Sequence, residues 1–255
     1  MSPVLRTLRG LWRLARCGVH LVAAILRCAF IFPFATPEQR MQQTGRWCAK
    51  MARVLGMQIS GRGVSHPGPV LLVANHMSWL DILAINAVHP ARFVSKADVR
   101  AWPMLGWLVG AGGTLFIERE RKRDALRVVH QIAEALKQGD TIAMFPEGTT
   151  GDGLTLLPFH ANLLQAAIST GTPLQPIGLS YIDADSQPSR AVVWVGDTTL
   201  ATSLWQVVMA HRMQAFVTQL PAVPTEGRER RELAEVVRRQ IAEALGFDAS
   251  SPAGH

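Results

Sequence analysis

The sequence predicts an α/β fold with a mixed, largely parallel sheet flanked by helices. Short apolar runs bounded by glycine, proline or polar residues recur after residue 60, as is typical of strands buried on both faces. Stretches with apolar residues at three- and four-residue spacing lie between several of these runs. Such alternation of strands and helices is typical of parallel sheets, whose ligands bind where strands end and helices begin.

Six apolar runs are predicted to be strands, and three later segments are predicted to be helices. The clearest helix is bounded by Gly139, where its apolar periodicity stops. The expected strands are Pro69–Ala74, Arg92–Ser95, Thr114–Ile117, Thr141–Phe145, Leu174–Leu179 and Ala191–Val195, and the expected helices are Asp124–Gln138, Trp205–Leu220 and Glu226–Leu245.

The composition of the 255-residue chain indicates a folded domain with a substantial core. Hydrophobic residues make up 48% and charged residues 18%, which excludes a disordered or fibrous chain. The three cysteines, Cys17, Cys28 and Cys48, lack a CxxC spacing, so neither a disulfide framework nor a zinc site is expected. A reducing compartment is the simplest interpretation of this pattern.

The positive charge is concentrated near the start of the chain. The net charge is +7, yet residues 1–60 contain nine basic residues and one acid, whereas the remaining residues contain 17 basic and 18 acidic ones. A basic arm beside a neutral body favours an anionic membrane surface over a nucleic acid as its partner.

Residues 17–35 are apolar except for His20 and Arg27 and follow four arginines. A membrane span, a helix lying in or on the membrane, and a buried core helix are all compatible with this pattern. A helix lying in or on the membrane is favoured over a span, because Arg27 would cost roughly 2.5–3.5 kcal/mol at the centre of a bilayer. A secretory signal is disfavoured, since no A-x-A-like cleavage site follows. The arginines are expected to keep this end on the cytoplasmic side of the inner membrane.

A second N-terminal helix is expected to begin after Thr36. Thr36 caps it, Pro37 takes the first helical position, Gln39 completes a capping box, and Gly56 ends the helix after Leu55. The expected organisation is therefore a membrane-associated helical segment over residues 1–57, followed by one α/β domain over residues 58–255.

A histidine and an aspartate follow the first predicted strand at a spacing that allows them to meet. His76 lies at the end of the strand, and Asp81 follows five residues later, across a turn and the first turn of a helix. Ser78 and Asp81 also form an S-x-x-D pattern, which as a capping box would be purely structural. A carboxylate on one imidazole nitrogen fixes the tautomer and raises the basicity of the other, so the pair is a candidate general base.

Four blocks of the chain resemble, in order, the motifs of the glycerolipid acyltransferases, the 1-acylglycerol-3-phosphate acyltransferase family. The first three are similar to N-H-x-S-x-x-D, G-x-x-F-I-x-R and F-P-E-G-T, and the fourth is similar to the proline-bearing block of the family. They occupy residues 75–81, 113–119, 145–149 and 172–177. Membrane-associated N-terminal helices are common in this family, in agreement with the expectation for residues 1–57.

The resemblance implies direct transfer of a fatty acyl group to the free hydroxyl of a lysolipid. The donor is expected to be a thioester of acyl carrier protein or coenzyme A, and no cofactor or metal is expected. No enzyme nucleophile is required, and the sequence has no G-x-S-x-G elbow. His76 is implied to take the hydroxyl proton, and Asp81 to orient and charge it. Acceptor binding is implied for Asn75, Ser78, Gly113, Arg119, Glu147, Gly148 and Thr149.

One position departs from the family pattern. Thr150 follows F-P-E-G-T where the family usually has arginine, and the stretch F-P-E-G-T-T-G-D-G is similar to the lyso-ornithine lipid acyltransferase branch, whose acceptor carries no phosphate. The first expected acceptor is 1-acylglycerol-3-phosphate and the alternative is lyso-ornithine lipid. A hydrolase or thioesterase that uses the His76–Asp81 pair to activate water is a further alternative. A lipid-binding protein without activity is disfavoured, because binding alone does not need the pair.

Overall fold

The computed structural model describes residues 2–102, 104–117 and 122–247, and the chain forms seven strands and eight α-helices within these ranges. The strands are β1 (Met57–Arg62), β2 (Leu71–Ala74), β3 (Arg92–Lys96), β4 (Leu115–Ile117), β5 (Ile142–Met144), β6 (Leu174–Ile182) and β7 (Met213–Gln219). The helices are α1 (Pro3–Phe30), α2 (Pro37–Leu55), α3 (Leu80–Val88), α4 (Leu105–Ala111), α5 (Lys122–Lys137), α6 (Gln165–Thr170), α7 (Leu200–Met209) and α8 (Arg230–Leu245).

One seven-stranded sheet has the order β1-β7-β6-β2-β5-β3-β4. Every neighbouring pair is parallel except β6 and β7, so the mixed, largely parallel sheet predicted from the sequence is confirmed. The central strand β2 is buried along its whole length. Strand β6 pairs Ile177 with Ala74, the last residue of β2, and then continues to Ile182. It therefore extends beyond the carboxyl end of β2.

Two predictions for the second half of the chain are wrong. Residues 191–195 form a turn and an extended loop instead of a strand, although Val192 is fully buried, so burial rather than strand pairing accounts for the apolar run. The helix predicted over 205–220 ends at Met209, and Arg212 adopts a positive φ of 53° that breaks it. The chain then forms β7, whose residues alternate strictly between buried and half-buried. Strand β1, its parallel partner, was not predicted.

Helices α1 and α2 pack against each other at the start of the chain. The capping box of α2 is present as predicted, with Thr36 Oγ1 accepting from Gln39 N and Gln39 Oε1 accepting from Thr36 N. Gly56 ends the helix with a φ of 88°, which glycine adopts without strain. The rings of His20 and Trp47 stack between the two helices, with centroids 5.3 Å apart. None of the helices in the described ranges combines the length and apolarity needed to cross a membrane.

Two of the N-terminal arginines contact the protein itself. Arg13 Nη1 donates to the carbonyl oxygens of Val208 and Ala210, each at 2.8 Å, and Arg9 Nη2 donates to the Met209 carbonyl at 2.9 Å. These carbonyls lie at the C-terminal end of α7, where the helix dipole is negative and cations are stabilising. The arginines therefore anchor α1 to α7.

The opposite face of α1 presents an apolar stripe to solvent. Its members are three, four or, in one case, eight residues apart, so they share one side of the helix, and each is more than half exposed. We call this set the α1 stripe: Val4, Leu8, Leu11, Val19, Val22, Leu26 and Phe30.

Candidate active site

The candidate site lies at the carboxyl ends of the two neighbouring strands β2 and β5. His76 follows β2 after one residue, and Glu147 follows β5 after two. The turn after β5 has Pro146 at its second position, and Gly148 closes it by donating from its N–H to the Phe145 carbonyl at 3.2 Å. Gly148 has a φ of 72°, a left-handed conformation that favours glycine. The turns that follow β2 and β5 bring the first and third motif blocks together.

His76 and Asp81 form a hydrogen bond of 2.7 Å between Nδ1 and Oδ2. An ionised carboxylate only accepts hydrogen bonds, so Nδ1 carries the proton and, in the neutral ring, Nε2 carries the lone pair. The His76 side chain is 20% exposed, whereas that of Asp81 is fully buried. A partly accessible ring with a free basic nitrogen is the arrangement that a general base requires.

The Asp81 carboxylate is buried but accepts hydrogen bonds at both oxygens. Oδ2 also accepts from the backbone N–H groups of Met77 at 2.7 Å and Ser78 at 2.9 Å. Oδ1 accepts from the hydroxyl of Tyr181 at 2.6 Å. Together with His76 these donors compensate the loss of hydration that makes an isolated buried charge so costly.

The Glu147 carboxylate holds the backbone of His76 in place. Its Oε1 accepts from the N–H of His76 at 2.8 Å, and its Oε2 accepts from the N–H of Leu157 at 2.9 Å. Burial raises the pKa of Glu147 to about 7, and the two backbone hydrogen bonds oppose this shift only in part. On the other side, the carbonyl of His76 accepts from Gly151 N at 2.8 Å.

The imidazole ring is held by stacking as well as by hydrogen bonds. The ring of Phe145 lies 3.9 Å from the His76 ring, centroid to centroid, with an interplanar angle of 9°. Phe145 is part of the F-P-E-G-T block, so that block supplies both the ring beneath the base and the carboxylate that fixes its backbone. Sequence reasoning missed this role of Phe145.

Two predicted acceptor-binding residues are buried and form hydrogen bonds within the protein. Asn75 is buried, and its amide group bonds to both the N–H and the carbonyl of Leu179, which joins β2 to β6. Ser78 is fully buried, and its Oγ accepts from Leu80 N at 3.1 Å, close to the capping role considered for it. In this arrangement both residues shape the turn that carries the pair.

The remaining predicted residues are spread over both edges of the sheet. Thr149 is exposed beside Glu147, on the same edge as His76. Gly113 instead precedes β4, which runs parallel to β3, so it lies at the amino-terminal edge of the sheet. Its carbonyl accepts from Arg92 Nε at 2.8 Å, and the sheet separates it from His76. Arg119 lies outside the described residues.

Sequence reasoning also missed two contacts around the site. Tyr181 lies on β6, one hundred residues from Asp81, so no local spacing connects them. The backbone of Trp194 lies between the first and third blocks, with its N–H donating to the Met77 carbonyl at 3.1 Å and its carbonyl accepting from Thr150 Oγ1. The loop predicted to be a strand therefore joins the turns that follow β2 and β5.

Comparison with known proteins agrees with this geometry. The family model described as acyltransferase matches residues 56–180, which include His76, Asp81 and Glu147. The chain belongs to the acyltransferase family.

Two curated relatives and one solved structure illustrate the similarity. The chain is 36% identical over 213 residues to a lyso-ornithine lipid O-acyltransferase of Pseudomonas aeruginosa, covering 84% of this chain and 81% of the relative. It is 34% identical over 196 residues to a 1-acyl-sn-glycerol-3-phosphate acyltransferase of Neisseria gonorrhoeae, covering 76% of each. The fold is similar to the crystal structure of the 1-acyl-sn-glycerophosphate acyltransferase PlsC of Thermotoga maritima, with a TM-score of 0.69, 20% identity, and coverage of 96% and 98%.

Proposed function

We propose that this protein is a lysolipid O-acyltransferase, with 1-acylglycerol-3-phosphate as the first candidate acceptor. The observation that carries the proposal is the 2.7 Å hydrogen bond between His76 Nδ1 and the buried carboxylate of Asp81. It supports a general base that acts on a hydroxyl. The named activities of the relatives support a lysolipid as the source of that hydroxyl.

The proposed reaction is a direct transfer in one active site. His76 Nε2 removes the proton of the lysolipid hydroxyl as its oxygen attacks the carbonyl carbon of an acyl thioester. The tetrahedral intermediate collapses, the carbon–sulfur bond breaks, and the imidazolium returns the proton to the leaving thiolate. The products are the acylated lipid and the free thiol of acyl carrier protein or coenzyme A. Asp81 stabilises the imidazolium that forms between the two proton transfers.

The test is acyl transfer by purified protein in detergent, with and without lysolipid. We expect His76→Ala to lower the transfer rate by about 10²–10⁴-fold, the usual contribution of a general base. Asp81→Asn is expected to lower it severely, because an amide can hold the wrong tautomer. His130→Ala, which alters an exposed histidine of α5, is the matched control. Near-normal transfer by His76→Ala would remove this mechanism, and release of fatty acid without an acceptor would favour a thioesterase.

Lyso-ornithine lipid is the second candidate acceptor, and Thr150 is the residue that favours it. Thr150 is half-buried, and its hydroxyl donates to the carbonyl of Trp194 instead of providing a cation near the site. A phosphate acceptor would gain from a guanidinium at this position, whereas an acceptor without phosphate has no such need. A screen of both lysolipids against one acyl donor distinguishes the two.

The proposal places the enzyme on the cytoplasmic face of the inner membrane, with the α1 stripe in contact with lipid. A stripe of large apolar side chains along a 28-residue helix is what a helix lying in the membrane interface presents. Trp107 and Met104, at the start of α4, are also exposed, and α4 contacts α1. The donor thioester is proposed to reach the site from the aqueous side.

A further inference from the structure

We infer that Tyr181 is a positioning residue of the acyl transfer reaction, acting through Asp81 as the third member of a His–Asp–Tyr chain of hydrogen bonds. The inference rests on the proposed function, since it concerns the same base. The hydroxyl of Tyr181 lies 2.6 Å from Asp81 Oδ1, the oxygen that does not contact His76. Tyr181 is fully buried and is the only tyrosine of the chain.

The geometry gives Tyr181 a role that packing alone does not require. Burial raises the pKa of its phenol well above the usual value, so the hydroxyl stays protonated and donates to the carboxylate. Tyr181 lies on the part of β6 that extends beyond Ala74, alongside the turn that carries His76 and Asp81. The extra length of this strand delivers a donor to the one carboxylate oxygen that the turn's own backbone does not reach.

The donor stabilises the form of the pair that is active as a base. In that form imidazole is neutral and Asp81 is ionised, so the pair carries one negative charge, whereas the protonated pair carries none. Removing a donor from the carboxylate therefore favours protonation of the pair and inactivates it at low pH. Among the described residues, the titratable groups in contact with the pair are Tyr181 and Glu147, the latter on the turn after β5.

Tyr181→Phe keeps the ring and removes only the hydroxyl. A hydrogen bond to a charged group corresponds to about a 10- to 100-fold change in an equilibrium constant. We expect kcat/KM to fall by about tenfold or more at low pH, with recovery as pH rises, so that the acid limb moves up by about one pH unit or more. Thr225→Val is the matched control, because it removes another buried hydrogen bond, to the Thr172 carbonyl at the opposite edge of the sheet. A loss that is equal at every pH, or no loss, would overturn the inference.

A second measurement does not depend on the folding of the Tyr181→Phe variant. Because the chain has one tyrosine, biosynthetic incorporation of 3-fluorotyrosine labels Tyr181 alone. We expect its single ¹⁹F resonance to shift with pH at the midpoint of the acid limb, and Asp81→Asn to abolish that shift. A titration that persists in Asp81→Asn would show that the resonance reports a group other than Asp81, such as Glu147, and would overturn the inference, as would a resonance independent of pH. Loss of the proposed function would appear separately, as activity that persists in His76→Ala.

Discussion

Glu147 has a buried carboxylate that holds the backbone of His76. It accepts from the N–H groups of His76 and Leu157, and the residue is buried. The sequence predicted an acceptor-binding role for this residue. Its two hydrogen bonds join the residues after β2 to the segment after β5, so a motif residue far along the chain holds the backbone of His76.

The pH dependence of stability provides a test of this burial. The pKa of Glu147 is raised from 4.5 to about 7, so the folded state binds the proton more tightly than the unfolded state between these values. Ionisation in this window therefore costs folded stability, and the cost grows as pH rises from about 4.5 to 7 and is complete above it. Glu147→Gln cannot ionise.

We expect Glu147→Gln to be less stable than wild type at pH 5, because one backbone N–H loses its acceptor. The difference should shrink by about 1–3 kcal/mol by pH 7.5. Urea unfolding across this range measures it, with Glu38→Gln, which alters an exposed carboxylate, as the control. A difference that stays constant with pH would mean that Glu147 ionises normally in the folded state.

Thr150 gives a second test at the scale of one residue. If the acceptor carries phosphate, Thr150→Arg is expected to lower its KM, or at least to be harmless, because guanidinium binds phosphate through charge-assisted hydrogen bonds. If the acceptor is lyso-ornithine lipid, the larger cation should impair transfer by crowding the site and releasing the Trp194 carbonyl. KM values for both lysolipids decide between these outcomes. Unaltered kinetics with both would place position 150 outside the head-group site.

The contact between α1 and α7 makes a prediction at the scale of elements. Arg13 lies between α7 and Gly56, where an added Cβ would come within 2.0 Å of its guanidinium, so it joins α1 to two other elements. We expect Arg13→Gln to lower the free energy of unfolding by about 1.5–3 kcal/mol, the range for hydrogen bonds to charged groups. Arg16→Gln, which alters an exposed arginine of the same helix, should stay within about 0.5 kcal/mol of wild type. Equal midpoints for the two variants in urea would contradict the anchoring role of Arg13.

Elements with local signals were predictable, and those decided by distant partners were not. Helix α2 begins after Thr36 and ends before Gly56 as predicted, because helix caps depend on residues three or four apart. Residues 213–219 alternate in burial but not in polarity, because Phe216 lies on the half-buried face and Gln219 on the buried one, so the sequence carried no clear strand signal after the apolar helix α7. The His76–Asp81 pair was predictable because one turn forms it. Tyr181 was not, because only the sheet brings it there.

The proposed membrane contact rests on the α1 stripe more than on the N-terminal charge. The sequence predicted an electrostatic contribution from four arginines, yet Arg9 and Arg13 bond to the end of α7, and Arg6 pairs with Asp185 at 2.9 Å. Deletion of residues 1–35 would therefore remove the stripe and also destabilise the fold. Single positions on the exposed face give a cleaner test.

We expect Leu11→Gln combined with Leu26→Gln to weaken vesicle binding by at least about tenfold, since each buried leucine side chain contributes about 1.5–3 kcal/mol. Glutamine keeps the helix propensity of leucine, so α1 should persist. Arg16→Gln should have a small effect. Co-sedimentation with zwitterionic and with anionic vesicles measures both contributions. Unchanged binding of the double variant would assign the contact to another surface, such as Trp107 and Met104.

The topology also has a consequence for the order in which the chain can fold as it is made. Strand β1 is complete at residue 62, but its only strand neighbour in the described sheet is β7, which ends at Gln219. More than 150 residues must leave the ribosome before β1 can pair. Helix α7, which receives Arg9 and Arg13, is made just before β7. Helix α1 therefore cannot dock on α7 until most of the chain has been made, and the α1 stripe leaves the ribosome long before the sheet is complete.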